Sequence, residues 1–357
     1  MKHFFILGRN PALSRQEIFA FLKTRRMNYN EILFIKNILI LDGDFNIDIQ
    51  ELGGTIAFGN IEFDDNQNKF DDFLSSQELV NENKFNYSVV GNTDPEPLKA
   101  YFKRNKQKAV LKHGRDKLKF QDGGYDFLPK TKYSYFLYDL DGKILFGRFS
   151  SYFDYHDVEK RDMKKPVRRE ELAISPRLSK ILINLSGATS KGLMGDPFCG
   201  VGGILQEALL KGIKVYGSDI DYKATLDGKK NLQWIKREFG ANAKFHIEKR
   251  DVRDLPDKQF DAIATETPLG NIVRKKLDDR NAEKTIRSFE RFIIPALQSM
   301  KMVKKNKAKI AITFPKIRRF GVDYENIVEN TGLEIVMKPI EETKKGQFIG
   351  RDIVVFR

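Results

Sequence analysis

A glycine-rich turn between an apolar segment and a helix-like segment limits the folds that this chain can adopt. The stretch GDPFCGVGG (195–203) holds four glycines and one proline in nine residues, and ILQEALLKG follows it. The next strand-like segment, IKVYGSD, ends in Asp219, nineteen residues after Gly200. Glycines let the backbone approach a ligand, and an acid at this distance binds ribose hydroxyls in nucleotide-binding βαβ units. The pattern predicts such a unit, although Leu205 occupies the third small position of a dinucleotide fingerprint.

The rest of the chain divides by pattern. From about Pro176 helix-like and strand-like segments alternate, which predicts a doubly wound α/β sheet. The N-terminal half instead contains two smaller α+β patterns. The first includes FFILG and a helix that starts at a capping box of Ser14 and Glu17. The second follows an acidic, Asn-rich stretch and includes NYSVVG, a basic helix near residues 95–107 and a hairpin that turns on Asp141-Gly142.

The charge of the chain predicts a polyanionic partner. Sixty-three Lys and Arg against 49 Asp and Glu give a net charge of +14. Lys99–Lys119 contains nine basic residues, and Lys160–Arg169 contains six. Either cluster alone could be a solvated helix face. Two clusters in one half of a basic chain favour phosphate binding, since each neutralised phosphate releases counterions.

Cysteine and histidine usage excludes several classes of site. The chain has one cysteine, Cys199, and four histidines, so we expect neither disulfides nor a metal site. Because free cysteine behaves as a small apolar residue, we expect Cys199 to pack inside the turn. The sequence shows neither a signal-peptide pattern nor a run of 18 apolar residues, so we expect a cytoplasmic protein without a membrane span.

The combination of DPFCGVGG and GSDID resembles the adenosylmethionine loop and second strand of class I RNA methyltransferases. The closest resemblance is to the tRNA guanosine-10 N2-methyltransferase family, in which a THUMP RNA-binding domain precedes the catalytic domain. FILGRNPALSRQEI and LGGTIAFG resemble its N-terminal ferredoxin-like domain, and QFIGRDIVVF resembles its last strand. The resemblance implies an α/β class I (Rossmann-like) methyltransferase domain with a seven-stranded, mostly parallel sheet, preceded by α+β domains. The implied parts are a ferredoxin-like domain (1–62), a THUMP-like domain (63–153), a linker (154–174) and the methyltransferase domain (175–357).

The resemblance also implies the site for S-adenosyl-L-methionine. In that family the turn cradles the methionine end of the cofactor, the acid after the second strand binds ribose, and the acid after the third strand meets the adenine amino group. The residues that carry over are Asp196, Phe198, Gly200, Gly202, Asp219, Ile220, Asp251 and Val252. Asp219 as an ordinary surface acid and Asp251 as a turn or cap residue are the alternatives.

The fourth strand, FDAIATETPLG, would carry the chemistry. The usual family string T-D-P-P-Y-G aligns with residues 265–270 without a gap, which makes Glu266, Thr267, Pro268 and Leu269 the catalytic residues. In such enzymes the carboxylate and a backbone carbonyl accept hydrogen bonds from the target amino group, while the aromatic ring stacks on the flipped base. Glu266 keeps the carboxylate. Leu269 cannot stack, and lost base stacking costs about 1–3 kcal/mol.

Two functions from different classes fit these residues. The first is a tRNA methyltransferase that modifies an exocyclic amino group, with guanine N2 as the expected target, and the intact cofactor loop favours it. The second is a catalytically impaired, methyltransferase-like tRNA-binding protein, which the altered TETPLG favours. A DNA amino-methyltransferase would lack the N-terminal region, and a thiouridine synthetase would need a different loop and reactive cysteines. The expected RNA-binding residues are Lys103, Arg104, Lys106, Lys108, Lys112, Arg115, Arg161, Lys164, Lys165 and Arg168.

Overall fold

The computed structural model describes residues 1–112, 117–119, 125–127, 131–169, 174–268, 277–343 and 348–357. The chain forms two compact units, the first made of residues 1–11, 27–49 and 55–153, and the second of 12–26, 50–54 and 154–357. Within the described ranges, no helix has both the length and the apolar character that a membrane span requires.

The first unit contains an eight-stranded sheet. Its strands are β1 (Lys2–Leu7), β2 (Asn30–Ile35), β3 (Ile38–Asp42), β4 (Thr55–Asn66), β5 (Lys84–Val90), β6 (Lys108–Leu111), β9 (Tyr133–Leu140) and β10 (Lys143–Tyr152), with β7 (Lys117–Lys119) and β8 (Tyr125–Phe127) paired separately. The order in the sheet is β2-β3-β1-β4-β10-β9-β5-β6. The helices of this part of the chain are α1 (Pro11–Thr24), most of which belongs to the second unit, α2 (Phe70–Ser75) and α3 (Glu96–Arg104).

The expected boundary between residues 62 and 63 falls inside strand β4. This strand pairs with β1 on one side and with β10 on the other, and the acidic residues at its end continue the ladder. The acidic, Asn-rich stretch 63–84 was expected to form a loop or a surface helix, but its first residues extend β4, where Asp64 forms an ion pair with Lys2. One sheet therefore contains strands from both expected N-terminal domains, whose division stays a prediction. The predicted hairpin is confirmed, and Asp141 and Gly142 both have positive φ, at 52° and 85°.

The second unit contains the alternating pattern. Its elements are α4 (Tyr155–Met163), α5 (Pro176–Ser186), β11 (Leu193–Asp196), α6 (Gly203–Leu210), β12 (Lys214–Asp219), α7 (Tyr222–Phe239), β13 (Phe245–Lys249), β14 (Ala262–Glu266), α8 (Asp279–Val303), β15 (Ile310–Lys316), α9 (Tyr324–Thr331), β16 (Ile335–Glu342) and β17 (Gly350–Phe356). The seven strands lie in the order β13-β12-β11-β14-β15-β17-β16, and β17 is antiparallel to both of its neighbours. The predicted α/β fold with a seven-stranded, mostly parallel sheet is confirmed.

The topology of this sheet fixes where a ligand can bind. The chain starts the sheet at β11 and β12, and then crosses to the opposite side with β14. In open α/β sheets, ligands bind outside the carboxyl ends of the strands at such a reversal. Apolar side chains cover both faces, with Leu182 and Leu205 in one buried cluster and Ile293 and Phe314 in the other. The carboxyl edge of β11, β12 and β14 is therefore the expected site.

The predicted capping box at Ser14 and Glu17 is wrong. Helix α1 starts at Pro11, because proline suits the first turn of a helix, so Ser14 lies inside the helix. The Glu17 carboxylate instead accepts hydrogen bonds from the backbone N–H groups of Gly53 and Gly54, each at 2.7 Å, and from Asn184 Nδ2 at 2.7 Å. Burial raises the pKa of Glu17. These hydrogen bonds link segments 12–26 and 50–54 to Asn184, and all three parts belong to the second unit.

Candidate cofactor and catalytic site

The glycine-rich turn connects β11 to α6 and packs against β12. Gly200 and Gly202 have left-handed φ values of 50° and 86°, which favour glycine. The Cys199 N–H donates to Ser218 O at 3.0 Å and fixes the turn to the neighbouring strand. A Cβ at Gly217 would lie 3.0 Å from the Cys199 Cβ, so that glycine makes room for the cysteine. Cys199 is buried, as predicted, and burial raises the pKa of its thiol, which suits packing rather than nucleophilic chemistry.

Asp219, at the end of β12, joins the turn to the strand. Its Oδ2 accepts a hydrogen bond from the Gly200 N–H at 2.8 Å, and its Oδ1 accepts one from the Asp221 N–H at 2.9 Å. The following residue, Ile220, is 66 % exposed. A carboxylate acceptor beside an exposed aliphatic side chain provides what a ribose and an adenine would need. The residues present therefore fit the predicted cofactor.

Asp196, at the end of β11, faces the end of β14. Its Oδ1 accepts hydrogen bonds from the Thr265 hydroxyl at 2.6 Å and from the Phe198 N–H at 3.3 Å. Burial, aided by the negative charges of Asp219 and Glu266, raises the pKa of Asp196 to about 7. The Asp196 carboxyl group therefore gains or loses its proton near neutral pH. Thr265, to which the sequence pattern gives no role, contacts Asp196 from a strand 69 residues further along the chain.

Asp251 caps the short helical turn that follows β13, which is the alternative role expected for it. It precedes a short turn, where its Oδ1 accepts from the Arg253 N–H and Nε–H, each at 2.9 Å. The Arg253 guanidinium lowers the pKa of Asp251 to about 2. Val252 is buried, and the ring of Phe198 lies 5.9 Å from that of Phe292 on α8. The adenine contact of Asp251 stays a prediction.

Glu266 ends β14 and forms an ion pair with a residue of the last strand. Its Oε1 lies 2.7 Å from Arg351 Nε, and burial raises the pKa of the carboxyl group while the guanidinium opposes that rise. Thr267 is buried and donates from its hydroxyl to Thr313 O at 2.7 Å, which ties the turn after β14 to β15. Pro268 is exposed. Leu269 and Arg115 lie outside the described residues.

The basic cluster 160–169 divides into buried and exposed side chains. Arg161 is 4 % exposed, and its Nε lies 2.9 Å from the Glu207 carboxylate on α6. Lys165 is 8 % exposed and lies 3.0 Å from Asp162. Both cations are paired within the unit, so their side chains are not displayed to a partner. The exposed expected contacts in this cluster are Lys164 and Arg168.

Asn231 of α7 fastens the same cluster to the glycine-rich turn. Its Nδ2 donates to Val167 O at 2.9 Å and to Val201 O at 3.0 Å, and its Oδ1 accepts from the Val167 N–H at 2.9 Å. Arg169 adds an ion pair with Asp227 at 2.6 Å. The sequence carried no signal for Asn231, because a single polar residue inside an amphipathic helix is uninformative without its distant partners.

The basic cluster around α3 is largely exposed. About half of the Arg104 side chain is exposed, and its guanidinium comes no closer than 3.9 Å to the carboxylate of Asp71. On β6 and just after it, the alternate residues 108, 110 and 112 are the exposed ones, as the period of a strand requires. The exposed expected RNA contacts of the first unit are Lys103, Arg104, Lys106, Lys108 and Lys112.

Comparisons with known proteins show which domains and enzymes the residues of this site resemble. Residues 165–320 match the UPF0020 family model, described as an RMKL-like methyltransferase domain. A tRNA (guanine(10)-N2)-dimethyltransferase of Methanothermobacter thermautotrophicus is 35% identical over 150 residues, which cover 42% of each chain. One of Pyrococcus abyssi with the same name is 30% identical over 188 residues, covering 52% of this chain and 49% of that protein. The matched stretches thus span less than half of these relatives.

A solved structure supports the same fold. TrmN from Thermus thermophilus aligns with a TM-score of 0.54 at 12% identity, and the alignment covers 100% of this chain and 99% of that chain. At this identity the similarity concerns the fold alone. The family match begins inside the basic cluster 160–169, at residue 165, and it covers the glycine-rich turn, Asp219 and the end of β14. Residues 165–320 of this chain are therefore similar to the methyltransferase domain that the RMKL-like family model describes.

Proposed function

We propose that this protein is a tRNA methyltransferase that uses S-adenosyl-L-methionine and methylates an exocyclic amino group, namely guanine N2 of the position-10 type. The observation that carries the proposal is the arrangement at the carboxyl edge of the second unit's sheet. There Asp219, at the end of β12, anchors the glycine-rich turn, and Glu266 carries its carboxylate at the end of β14 in the same sheet. The names of the relatives from Methanothermobacter and Pyrococcus support the choice of substrate.

Each side chain has a role that follows from its surroundings. Asp219 would accept hydrogen bonds from ribose hydroxyls, and Ile220 would offer an apolar surface to the adenine. When bound, the cofactor supplies an electrophilic methyl group. Glu266 would accept a hydrogen bond from the target amino group and so orient the nitrogen lone pair. It acts as an orienter rather than as a strong base, because the amine can lose its proton after methyl transfer.

The exposed cations of the first unit supply the second part of the proposal. Five exposed Lys and Arg side chains on α3, on β6 and beside them suit the phosphates of a folded RNA. On the second unit, Lys164 and Arg168 are the exposed cations of the expected set that would contact phosphates. Arg161 and Lys165 are not proposed as phosphate contacts because both are buried and paired.

The test is methyl transfer to tRNA with identification of the product. Full-length protein is incubated with unmodified tRNA and cofactor labelled in its methyl group, and the digested nucleosides are separated and identified by mass spectrometry. We expect labelled N2-methylguanosine. The Glu266→Gln variant should form much less product with unchanged tRNA affinity, since it adds a donor where an acceptor is needed.

A matched control is Glu334→Gln, which alters an exposed carboxylate paired with Arg357. It should form as much product as the wild type. If the wild type binds cofactor and tRNA yet gives no methylated nucleoside, the proposal fails and a tRNA-binding role without catalysis replaces it.

A further inference from the structure

The ion pair between Glu266 and Arg351 joins the proposed acceptor to the antiparallel last strand. Because β17 runs against its neighbours, its first residues lie at the carboxyl edge of β14 and β15, and Gly350 is opposite Lys316. Arg351 therefore approaches the edge where Glu266 ends its strand. Both side chains are largely buried, since 18 % of the Arg351 side chain and 16 % of the Glu266 side chain are exposed. A buried ion pair at this place is costly to desolvate and so invites a functional explanation.

The two carboxylate oxygens of Glu266 are not equivalent in this ion pair, because Oε1 is the one that faces Arg351. Oε1 lies 2.7 Å from Arg351 Nε, but neither atom has an aligned hydrogen-bond partner in the parts of the chain that the structure describes. Both atoms are fully buried. The exposed fraction of the Glu266 side chain therefore belongs to its other atoms. Arg351 attracts the inner oxygen, Oε1, by charge and so favours one orientation of the carboxylate.

Burial and a second carboxyl group disfavour the ionised form of Glu266. Asp196 at the end of β11 is a second carboxyl group within electrostatic range, and the β15 residue in register with Glu266 is the neutral Thr313. Burial favours the neutral acid as well. Arg351 is thus the cation that counteracts two unfavourable effects among the described residues. A neutral carboxylic acid would be a poorer acceptor for an amino N–H than a carboxylate.

We propose that Arg351 is a positioning residue of this site, which keeps Glu266 ionised and turns its outer oxygen, Oε2, toward the target amino group. This inference rests on the proposed function. It also explains how a glutamate, one methylene longer than the aspartate of the resembled motif, is held in one orientation. Arg351 does not itself contact the reacting atoms.

The test measures the ionisation of Glu266 directly and catalysis separately. Full-length protein is labelled with carbon-13 at the glutamate carboxyl groups, and the Glu266 signal is identified as the one lost in Glu266→Gln. In Arg351→Met and Arg351→Gln the titration midpoint should rise by about 1–3 pH units, as expected when a cation within 4–6 Å is removed. Arg351→Lys, which keeps the charge, should restore most of the wild-type midpoint. The control Arg357→Met breaks an exposed pair just after the same strand and should leave the midpoint unchanged.

The kinetic readout uses the same variants. In Arg351→Met the acid limb of the kcat profile should move up with the Glu266 midpoint. On that limb kcat should fall roughly tenfold for each pH unit by which the midpoint rises, with KM for tRNA unchanged. Removing the arginine in a Glu266→Gln background should cause no further change in the pH profile.

Two outcomes separate this inference from the proposed function. If the Glu266 midpoint does not move, or if no uncharged variant folds, the inference is overturned. If the midpoint moves but the wild type makes no methylated nucleoside, the proposed function fails while the role of Arg351 in ionisation stands.

Discussion

Asp196 should make the stability of the second unit depend on pH in an unusual direction. Its carboxyl group is 1 % exposed, and burial raises its pKa from 3.8 to about 7. Between these two values the folded chain holds a proton that the unfolded chain has released. The free energy of unfolding should therefore fall as pH rises, whereas a carboxyl group with a lowered pKa would make it rise.

The size of the effect follows from the difference between the two pKa values. A difference of about three pKa units corresponds to about 4 kcal/mol at about 1.36 kcal/mol per pKa unit, all of it present below about pH 4 and lost by about pH 7. Across the convenient range of about pH 5 to 7 the loss should be about 2–3 kcal/mol. Asp196→Asn keeps an oxygen for the Thr265 hydroxyl but has no proton to exchange, so it should remove this dependence.

The assay is urea unfolding followed by tryptophan fluorescence. Trp234, the one tryptophan of the chain, is buried in the core of the second unit, so it reports the unit that contains Asp196. The wild type should lose stability relative to Asp196→Asn as the pH rises. Asp251→Asn is the control, because the pKa of Asp251 is about 2 and its carboxylate is ionised in both states over this range. Parallel pH curves for wild type and Asp196→Asn would refute the reasoning.

Three further perturbations test other parts of the account. Asn231→Ala leaves three backbone groups of the linker and turn, one of them buried and two partly buried, without their partner. It should cost about 2–4 kcal/mol of unfolding free energy, measured by the same fluorescence assay. A cost near zero would show that these hydrogen bonds are dispensable. Replacing Lys103 and Arg104 with Glu should weaken tRNA binding, measured by fluorescence anisotropy. It should also reduce the slope of log K against log salt by about 0.7–0.9 per lost contact. An unchanged slope would show that these residues belong to a solvent-exposed face that does not bind tRNA. Asp219→Ala should weaken cofactor binding by about 1.5–3 kcal/mol in calorimetric titration, and equal affinity would remove Asp219 from the site.

The sequence predicts those parts of the site that depend on local pattern. The glycines of the turn, the acid after β12 and the alternation of helix and strand are encoded within short windows, and the structure reproduces each. The hairpin at Asp141-Gly142 is equally local. Such features follow from backbone conformation and side-chain period, which neighbouring residues determine.

The remaining features depend on contacts between distant residues. Glu17 meets Asn184 across 167 positions of the chain, so a local capping pattern gave the wrong partner for its carboxylate. Arg351 reaches Glu266 only because the last strand runs antiparallel, a fact that no single window shows. In the same way, a run of basic residues does not reveal which cations are buried against Glu207 and which remain exposed.

The most direct test of the central claim replaces the target guanosine with inosine. Inosine keeps the ring nitrogens of guanosine but lacks the exocyclic amino group that Glu266 is proposed to orient. Two full-length tRNAs that differ only in guanosine or inosine at position 10 are incubated with the protein and cofactor labelled in its methyl group, and incorporated label is counted. We predict that the guanosine tRNA accepts a methyl group and that the inosine tRNA does not. Equal labelling of both tRNAs would contradict the account, because the methyl group would then reside on an atom other than the amino nitrogen.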